Sequence, residues 1–100
     1  MASIFTKIIQ REIPANILYE NENFISILDI SPLTLGHSLV IPKVEVDCFF
    51  DLDDNYLNKI MIFSKVLSNA LSKSVSCKRV GLTVIGLEVP HAHLHLIPFN

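Results

Sequence analysis

The most informative segment of the chain reads His91-Ala92-His93-Leu94-His95-Leu96-Ile97-Pro98 and lies close to its C-terminal end. Side chains on a strand alternate between its two faces, so this pattern predicts three histidines on one face. The other face carries apolar side chains, and we expect it to pack on a helix. Three of the four histidines of the chain fall within five positions. This row of imidazoles is therefore the first candidate for a functional site.

Four further strands are predicted upstream of the histidine row, at residues 17–20, 24–28, 37–41 and 80–85. The first two are rich in β-forming residues and are joined by Asn21-Glu22-Asn23, a turn-forming run that is typical of a hairpin. The third ends where Pro42 follows it. Three strands, a helix and two strands in this order favour an α+β domain with a mostly antiparallel five-stranded sheet.

One short and one long helix complete the predicted fold. Ser3 is a suitable N-cap for a helix that reaches about Gln10 and ends before Pro14. Three carboxylates at positions 51, 53 and 54 crowd the start of the long helix, where they suit the positive end of the helix dipole. Apolar residues at helical spacing continue it to about Ser74. A length of 100 residues predicts one domain over residues 1–100.

Composition excludes several classes of protein. No apolar run is long enough for a membrane span, and the charged residues near the N-terminus argue against a signal peptide. The net charge is −2 and Lys and Arg do not cluster, which argues against binding to a nucleic acid polymer. Cys48 and Cys77 are isolated, so a reducing cytoplasm is the expected compartment. The mean hydropathy of +0.45 is high for so short a chain and favours a buried contact with a partner.

The histidine row has three possible interpretations. A solvated edge strand gives no reason to repeat one rare residue three times. A metal-binding protein is a more specific alternative, but the backbones of His91 and His95 would be about 13 Å apart. This distance makes it hard for three rings on a straight strand to bind one ion. A metal would need a ligand from elsewhere, and His37 is the only other imidazole. We therefore expect neither a metal nor another cofactor.

A phosphate explains the row better. A phosphoryl group is wide enough to accept hydrogen bonds from the two flanking rings while the central ring faces phosphorus. A neutral imidazole is a good nucleophile near pH 7. The flanking rings can donate to the oxygens where charge develops.

The alternation of histidine and hydrophobic residues at 91–97 resembles the motif of the histidine-triad (HIT) proteins. The resemblance to their Hint-type branch extends over nearly the whole chain, from about Ser3 to Pro98, and includes residues 3–9, 12–14, 29–32 and 36–43. It implies a HIT-like fold. It also implies a domain whose family tail, which commonly follows the triad and reaches the partner subunit, is absent here.

The resemblance implies a hydrolase or phosphoramidase that acts on a purine nucleoside phosphate or a derivative of it. The residue at the position of the nucleophile is His93, which would attack the α-phosphorus and form a nucleotidyl-histidine intermediate. His91 and His95 take the flanking positions, and His37 matches a fourth histidine that supports the triad from the adjacent strand. The alternative is a nucleotide-binding regulatory protein with little or no turnover.

The resemblance also implies a nucleotide pocket and a homodimer. Asp29 matches a carboxylate that accepts hydrogen bonds from ribose hydroxyls, although a residue before Ser31-Pro32 could equally be a turn residue. The positions that match the apolar base pocket could also be ordinary core; they are Ile4, Phe5, Ile8, Ile27, Leu28, Ile30 and Leu39. In the dimer, the long helix and the strand at 80–85 would meet their two-fold mates.

The chain departs from the family pattern at several positions. Before the triad, Leu87 and Glu88 stand where relatives usually have Gln and a hydroxyl residue that assist the leaving group. The family Asn upstream of the triad falls near Val80. The zinc ligands of some bacterial relatives are absent, with Ile4 and Thr6 in the N-terminal region. These departures leave nucleotide binding expected and make turnover depend on other groups.

Overall fold

The computed structural model describes residues 2–100. Five strands form one sheet in the order β1-β2-β3-β5-β4, and every neighbouring pair is antiparallel. The strands are β1 (Ile17–Glu20), β2 (Phe24–Leu28), β3 (Ser38–Pro42), β4 (Arg79–Thr83) and β5 (Leu94–Phe99). The helices are α1 (Ile4–Ile9) and α2 (Asp54–Ser74), and a 3₁₀ turn covers Phe49–Asp51. The predicted α+β architecture is confirmed.

Each helix begins at a side chain that caps it, at the predicted Ser3 for α1 and at one of the three predicted carboxylates for α2. The side chain of Ser3 accepts a hydrogen bond from the Thr6 N–H at the start of α1. Asp53 does the same for the Tyr56 N–H at the start of α2. Each cap satisfies one of the N–H groups that a first helical turn leaves without a partner.

The sheet separates two apolar layers. On one side, α2 covers a cluster to which three strands contribute, and its buried members are Phe24, Val40, Ile60, Phe63, Leu67, Leu71, Leu94 and Leu96. On the other side, α1 covers a second cluster of Phe5, Ile8, Ile25, Ile27, Leu39 and Ile41. Neighbouring residues of β3 alternate between the two clusters, as strand geometry requires. The face that α1 covers is the face on which the histidines lie.

The segment that carries the triad differs from its prediction. β5 begins at Leu94, so His91 and His93 lie in the chain that leads into the strand. Here the Ala92 N–H donates to the Val46 carbonyl, in the loop after β3, and the His91 N–H donates to the nearby Val89 carbonyl. The backbone before Leu94 is thus bonded to loops and not to a neighbouring strand. The prediction of one continuous strand over 91–98 was wrong for this reason.

Smaller differences occur at other ends. β3 begins at Ser38 and β4 ends at Thr83, two residues before the predicted end of that strand. After β4, the chain enters a loop in which Gly86 has a φ of 70°, a conformation that favours glycine. Within residues 2–100, neither helix combines the length and apolar character that crossing a membrane needs.

Candidate active site

The four histidines meet on the α1 face of the sheet, beside the first residues of β5. Cross-strand pairing places His95 next to Leu39 of β3 and next to Thr83 of β4. The ring centroids of His93 and His95 are 5.2 Å apart, and those of His37 and His95 are also 5.2 Å apart. The structure therefore brings together all four histidines that the sequence singled out. His37, His91 and His93 are buried, whereas His95 is partly exposed.

The backbone fixes the proton position of His93. Its Nδ1 lies 2.8 Å from the carbonyl oxygen of His91. A carbonyl can only accept a hydrogen bond, so Nδ1 must carry the proton and donate. In the neutral ring the lone pair is then on Nε2. A lone pair on a neutral imidazole is the kind of group that can act as a nucleophile.

His91 is held through both of its ring nitrogens. Nε2 lies 2.8 Å from the Pro42 carbonyl oxygen and must donate to it. Nδ1 of the neutral ring then accepts, and the hydroxyl of Ser3 lies 2.7 Å from it. Burial lowers the pKa of His91, and the hydrogen bond to Pro42 and the charge of Glu45 oppose this only in part. His91 is therefore a neutral structural member of the site.

A second chain of hydrogen bonds orients His95. The Leu33 N–H donates to Nδ1 of His37 at 3.0 Å, so the proton of His37 must be on Nε2. This Nε2–H donates to Nδ1 of His95 at 2.9 Å. The proton of His95 is consequently on its own Nε2, where it is available to a ligand. Burial lowers the pKa of His95, and His93 and His37 lower it further.

His93 and His95, the two rings at the centre of the site, therefore present different groups to a ligand. His93 offers a lone pair and the adjacent His95 offers an N–H, which are the groups that a nucleophilic attack and an oxyanion need. The ring of Phe5 meets that of His93 edge to face, with centroids 4.9 Å apart. This contact restricts the tilt of His93 and ties α1 to the site.

Asp29 is both a turn residue and a neighbour of the histidines. Its Oδ1 accepts a hydrogen bond from the Ser31 N–H at 2.8 Å, as the turn interpretation predicts. Its Oδ2 lies 3.4 Å from Nε2 of His37. The carboxylate is half-buried at the edge of the site, so Oδ2 points toward the imidazoles while Oδ1 holds the loop.

Asp29, His37 and His95 have ligand atoms within 4.8 Å of one another, a spacing that a metal ion could use. The proton on Nε2 of His37 opposes this, because Leu33 already occupies the other ring nitrogen. A metal at Nε2 would displace that proton, and a neutral ring would have to give up the hydrogen bond from Leu33. The spacing of these ligand atoms suits a metal ion, but the hydrogen bond from the Leu33 N–H places the proton of His37 on the nitrogen that would have to bind it.

The structure divides the predicted base-pocket residues. Phe5, Ile8, Ile27 and Leu39 lie together in the buried cluster beneath α1. Three others lie apart, each for a different reason. Ile4 is on the solvent side of α1, Ile30 is 93% exposed in the loop after β2, and Leu28 faces a groove beneath α2 on the opposite side of the sheet.

The departures before the triad are also visible in the structure. The side chain of Leu87 is 88% exposed in the loop between β4 and the triad, and Glu88 beside it is exposed as well. Val80 packs against the cluster beneath α2, so its side chain points away from the histidines. Neither Leu87 nor Val80 can supply a hydrogen bond through its side chain.

Sequence reasoning missed one part of the site. Glu45 accepts hydrogen bonds from the Ser3 N–H and the Thr6 hydroxyl, and Ser3 in turn contacts His91. The sequence identified Ser3 only as a helix cap. Glu45 is an isolated carboxylate in a loop, and no spacing rule links it to residues 39 and 42 positions earlier.

The chain is similar in sequence and in fold to known proteins. A family model described as the HIT domain matches residues 10–100. An uncharacterised HIT-like protein of Borreliella burgdorferi is 38% identical over 95% of this chain and 73% of its own length. The adenosine 5'-monophosphoramidase of Saccharomyces cerevisiae is 37% identical over 97% of this chain and 62% of its own length. A crystal structure of a HIT family protein from Bacillus anthracis superposes with a TM-score of 0.92 at 37% identity, covering 96% and 72% of the two chains.

Proposed function

Because the chain belongs to the HIT family, we propose that it is a purine nucleotide-binding hydrolase or phosphoramidase that forms a nucleotidyl-His93 intermediate at the α-phosphate. The observation that carries the proposal is the pair of ring nitrogens at the centre of the site. The lone pair of His93 and the N–H of His95 are set by hydrogen bonds to the backbone and to His37. These hydrogen bonds select one tautomer for each neutral ring, so the lone pair and the N–H have defined positions.

The reaction proceeds in two displacements. Nε2 of His93 attacks the α-phosphorus, the bond to the leaving group breaks, and the leaving group departs with the electron pair and takes up a proton. The His95 N–H donates to a non-bridging oxygen, where charge develops. Water then attacks the same phosphorus and loses a proton, and the bond between phosphorus and Nε2 of His93 breaks with its electron pair returning to the nitrogen. The nucleoside monophosphate is released and His93 is restored.

Nucleotide binding uses the rest of the site. Oδ2 of Asp29 accepts from the ribose hydroxyls, while Oδ1 keeps its turn hydrogen bond to Ser31. The base lies at the edge of the cluster of Phe5, Ile8, Ile27 and Leu39, against the small part of these side chains that remains exposed. An adenine nucleotide is the first ligand to test, because the yeast relative is an adenosine 5'-monophosphoramidase.

The decisive experiment is a chemical trap. The protein is mixed with adenosine 5'-phosphoramidate, the reaction is quenched with acid, and the protein is analysed by intact mass. We expect an added nucleotidyl group on the wild type and none on His93→Ala. An adduct that forms equally on His93→Ala contradicts the assignment of the nucleophile.

A regulatory protein that binds nucleotides without turnover is the second candidate. Leu87 and Glu88 favour it, because they replace the polar residues that assist the leaving group in relatives. The same trap separates the two candidates. Tight binding of AMP in calorimetry, together with no adduct and no product, would support the regulatory protein.

We further propose a homodimer in the cytoplasm. Apolar residues remain exposed on α2 and around the end of β4, an outer strand of the sheet; they are Met61, Ile62, Val66, Leu82, Val84 and Ile85. Obligate dimer interfaces are more apolar than ordinary surface. Sedimentation at micromolar concentration should show a dimer, and a stable monomer would reject this part of the proposal.

A further inference from the structure

A cluster of hydrogen bonds outside the histidine row joins the start of α1 to the loop after β3. The Ser3 N–H donates to Oε1 of Glu45 at 2.7 Å, and the Thr6 hydroxyl donates to the same oxygen at 2.6 Å. These two hydrogen bonds lower the pKa of Glu45. The carboxylate is therefore ionised at neutral pH and anchors the first turn of α1.

The cluster continues from Ser3 into the site. The Ser3 hydroxyl oxygen accepts from the Thr6 N–H at 3.1 Å and lies 2.7 Å from Nδ1 of His91. The Thr6 hydroxyl is 3.4 Å from the same nitrogen, but its proton is already given to Glu45. The Ser3 proton is therefore the one that Nδ1 receives. Ser3 and His91 are both buried, so water does not compete for this contact.

His91 links the hydrogen bond from Ser3 to the proposed nucleophile, His93. Its ring is fixed at both nitrogens, by Ser3 and by Pro42, and its carbonyl oxygen receives the Nδ1–H of His93. Phe5 lies between Ser3 and Thr6 on α1 and packs edge to face on both imidazoles. The position of α1 and the orientation of His93 are thus coupled through one small cluster.

The charge of His91 matters as well as its position. When Nε2 of His93 bonds to phosphorus, its ring becomes cationic. A protonated His91 would repel this charge, whereas a neutral His91 does not. A donor at Nδ1 stabilises the neutral form of His91, because a protonated ring would have a hydrogen of its own at that nitrogen.

We propose that Ser3 and Glu45 are positioning residues for His93. Glu45 holds the start of α1, and the Ser3 hydroxyl keeps His91 neutral and in place, so that the lone pair of His93 stays on Nε2. The inference rests on the proposed function of His93 as the nucleophile. It adds two residues that contact neither the substrate nor the reacting atoms.

Substitutions at Ser3 separate its role at His91 from its role as a helix cap. Ser3→Thr keeps both the cap acceptor and the hydroxyl donor. Ser3→Asp keeps a good cap but has no proton to give, and its carboxylate favours a protonated His91. Ser3→Ala loses both roles. Glu45→Ala removes the anchor, Glu45→Gln restores an acceptor, and Asp47→Asn is a matched control at an exposed carboxylate two positions away.

The first measurement is the nitrogen NMR spectrum of the histidine rings, which reports which nitrogen carries the proton and needs no turnover. We expect His93 in the wild type, Ser3→Thr and Asp47→Asn to show the proton on Nδ1 alone. In Ser3→Asp, His91 should be protonated at neutral pH and His93 should show a mixture of the two neutral forms. Wild-type ring signals for both histidines in a folded Ser3→Asp would overturn the proposal.

The second measurement is steady-state hydrolysis of adenosine 5'-phosphoramidate. We expect kcat to fall at least tenfold in Ser3→Asp and in Glu45→Ala, with KM within threefold of the wild type. Ser3→Thr, Glu45→Gln and Asp47→Asn should remain within threefold in kcat. If Ser3→Asp does not fold, the pair Glu45→Ala and Glu45→Gln decides, and equal kcat values for that pair would reject the proposal.

Failure of the proposed function would look different. A wild type that gives neither product nor trapped adduct contradicts hydrolysis but leaves the ring signals measurable. The positioning of His93 by Ser3 is then judged by those signals alone.

Discussion

The triad segment and the loop that leads into it are neighbours in sequence but opposites in structure. From His91 to His95, hydrogen bonds to the backbone, to Ser3 and to His37 determine where each ring carries its proton. From Val84 to Pro90, Leu87 is almost fully exposed, and a Cβ added at Gly86 would meet nothing within 4 Å. The groups that would attack phosphorus in the proposed mechanism are therefore held by hydrogen bonds on several sides, whereas the region that would assist the leaving group is open.

In the proposed mechanism, nucleophilic attack and assistance of the leaving group therefore belong to separate regions. Changes in the buried segment should abolish the reaction whatever the substrate is. Changes in the loop should alter which substrates react. Each region can thus be tested without disturbing the other.

The largest effect is expected at His93. His93→Ala should lower hydrolysis by at least about 1,000-fold, because a covalent route loses its nucleophile. Nucleotide affinity should stay within about tenfold, since base, ribose and phosphate contacts share the binding. Product formation by chromatography and AMP binding by calorimetry test the two statements. Hydrolysis at the wild-type rate by this variant would falsify the nucleophile assignment.

Asp29 should have the next largest effect, and on binding rather than on attack. Asp29→Ala removes an acceptor whose hydrogen bonds from ribose are worth roughly 1.5–3 kcal/mol, or about 10- to 150-fold in Kd. Calorimetry with AMP and with its 2',3'-dideoxy analogue is the measurement. Only the ribonucleotide should lose affinity.

A matched variant controls for the turn at Asp29. Asp29→Asn keeps an oxygen for the Ser31 N–H and so preserves the loop. If Asp29→Ala weakens both ligands equally while Asp29→Asn weakens neither, Asp29 serves only the turn.

Much of the fold was predictable because it depends on local patterns. The hairpin of β1 and β2, the caps at Ser3 and Asp53 and the long helix α2 each follow from residues close together in sequence. Strand alternation could also have separated Leu28 from Ile27, since adjacent strand residues face opposite sides of a sheet. Assigning both residues to one pocket ignored that rule.

The start of β5 and the cluster around Ser3 were not predictable in this way. The hydrogen bond between Ala92 and Val46 ends the strand pattern early, and it joins residues that are far apart in the chain. The contact between Ser3 and His91 spans 88 positions. A single sequence has no local signal for such contacts, because they arise only when the sheet and α1 have packed together.

The exposed loop should have a smaller effect, which depends on the substrate. Leu87→Gln combined with Glu88→Ser should raise hydrolysis of alkyl phosphoramidates at least tenfold, or about 1.4 kcal/mol of barrier. A departing alkyl amine needs a proton, and a positioned acid can supply it. An ester or anhydride of AMP with a good leaving group should gain much less. Equal rates for the double variant and the wild type on the alkyl amine substrate would show that the proton comes from elsewhere.

The smallest effect is a dependence of stability on pH, and it concerns the buried triad segment. Burial is the largest cause that lowers the pKa of both His91 and His95 in the folded protein. In the unfolded chain these histidines titrate near the ordinary value of about 6.5. Below that pH the unfolded state binds more protons than the folded state, so the free energy of unfolding should fall as the pH falls.

The loss should begin as the pH passes below about 6.5 and should level off once the pH is below the lowered pKa values of the folded protein. Urea unfolding at pH 7.5 and pH 5.5 measures it, in a range above that in which the carboxylates titrate. His95→Gln removes one of the two groups and should show a smaller difference between the two pH values. A free energy of unfolding that is unchanged or higher at pH 5.5 would mean that the folded protein accommodates charged imidazoles. The proposal that the attack depends on neutral rings fixed by the backbone would then be wrong.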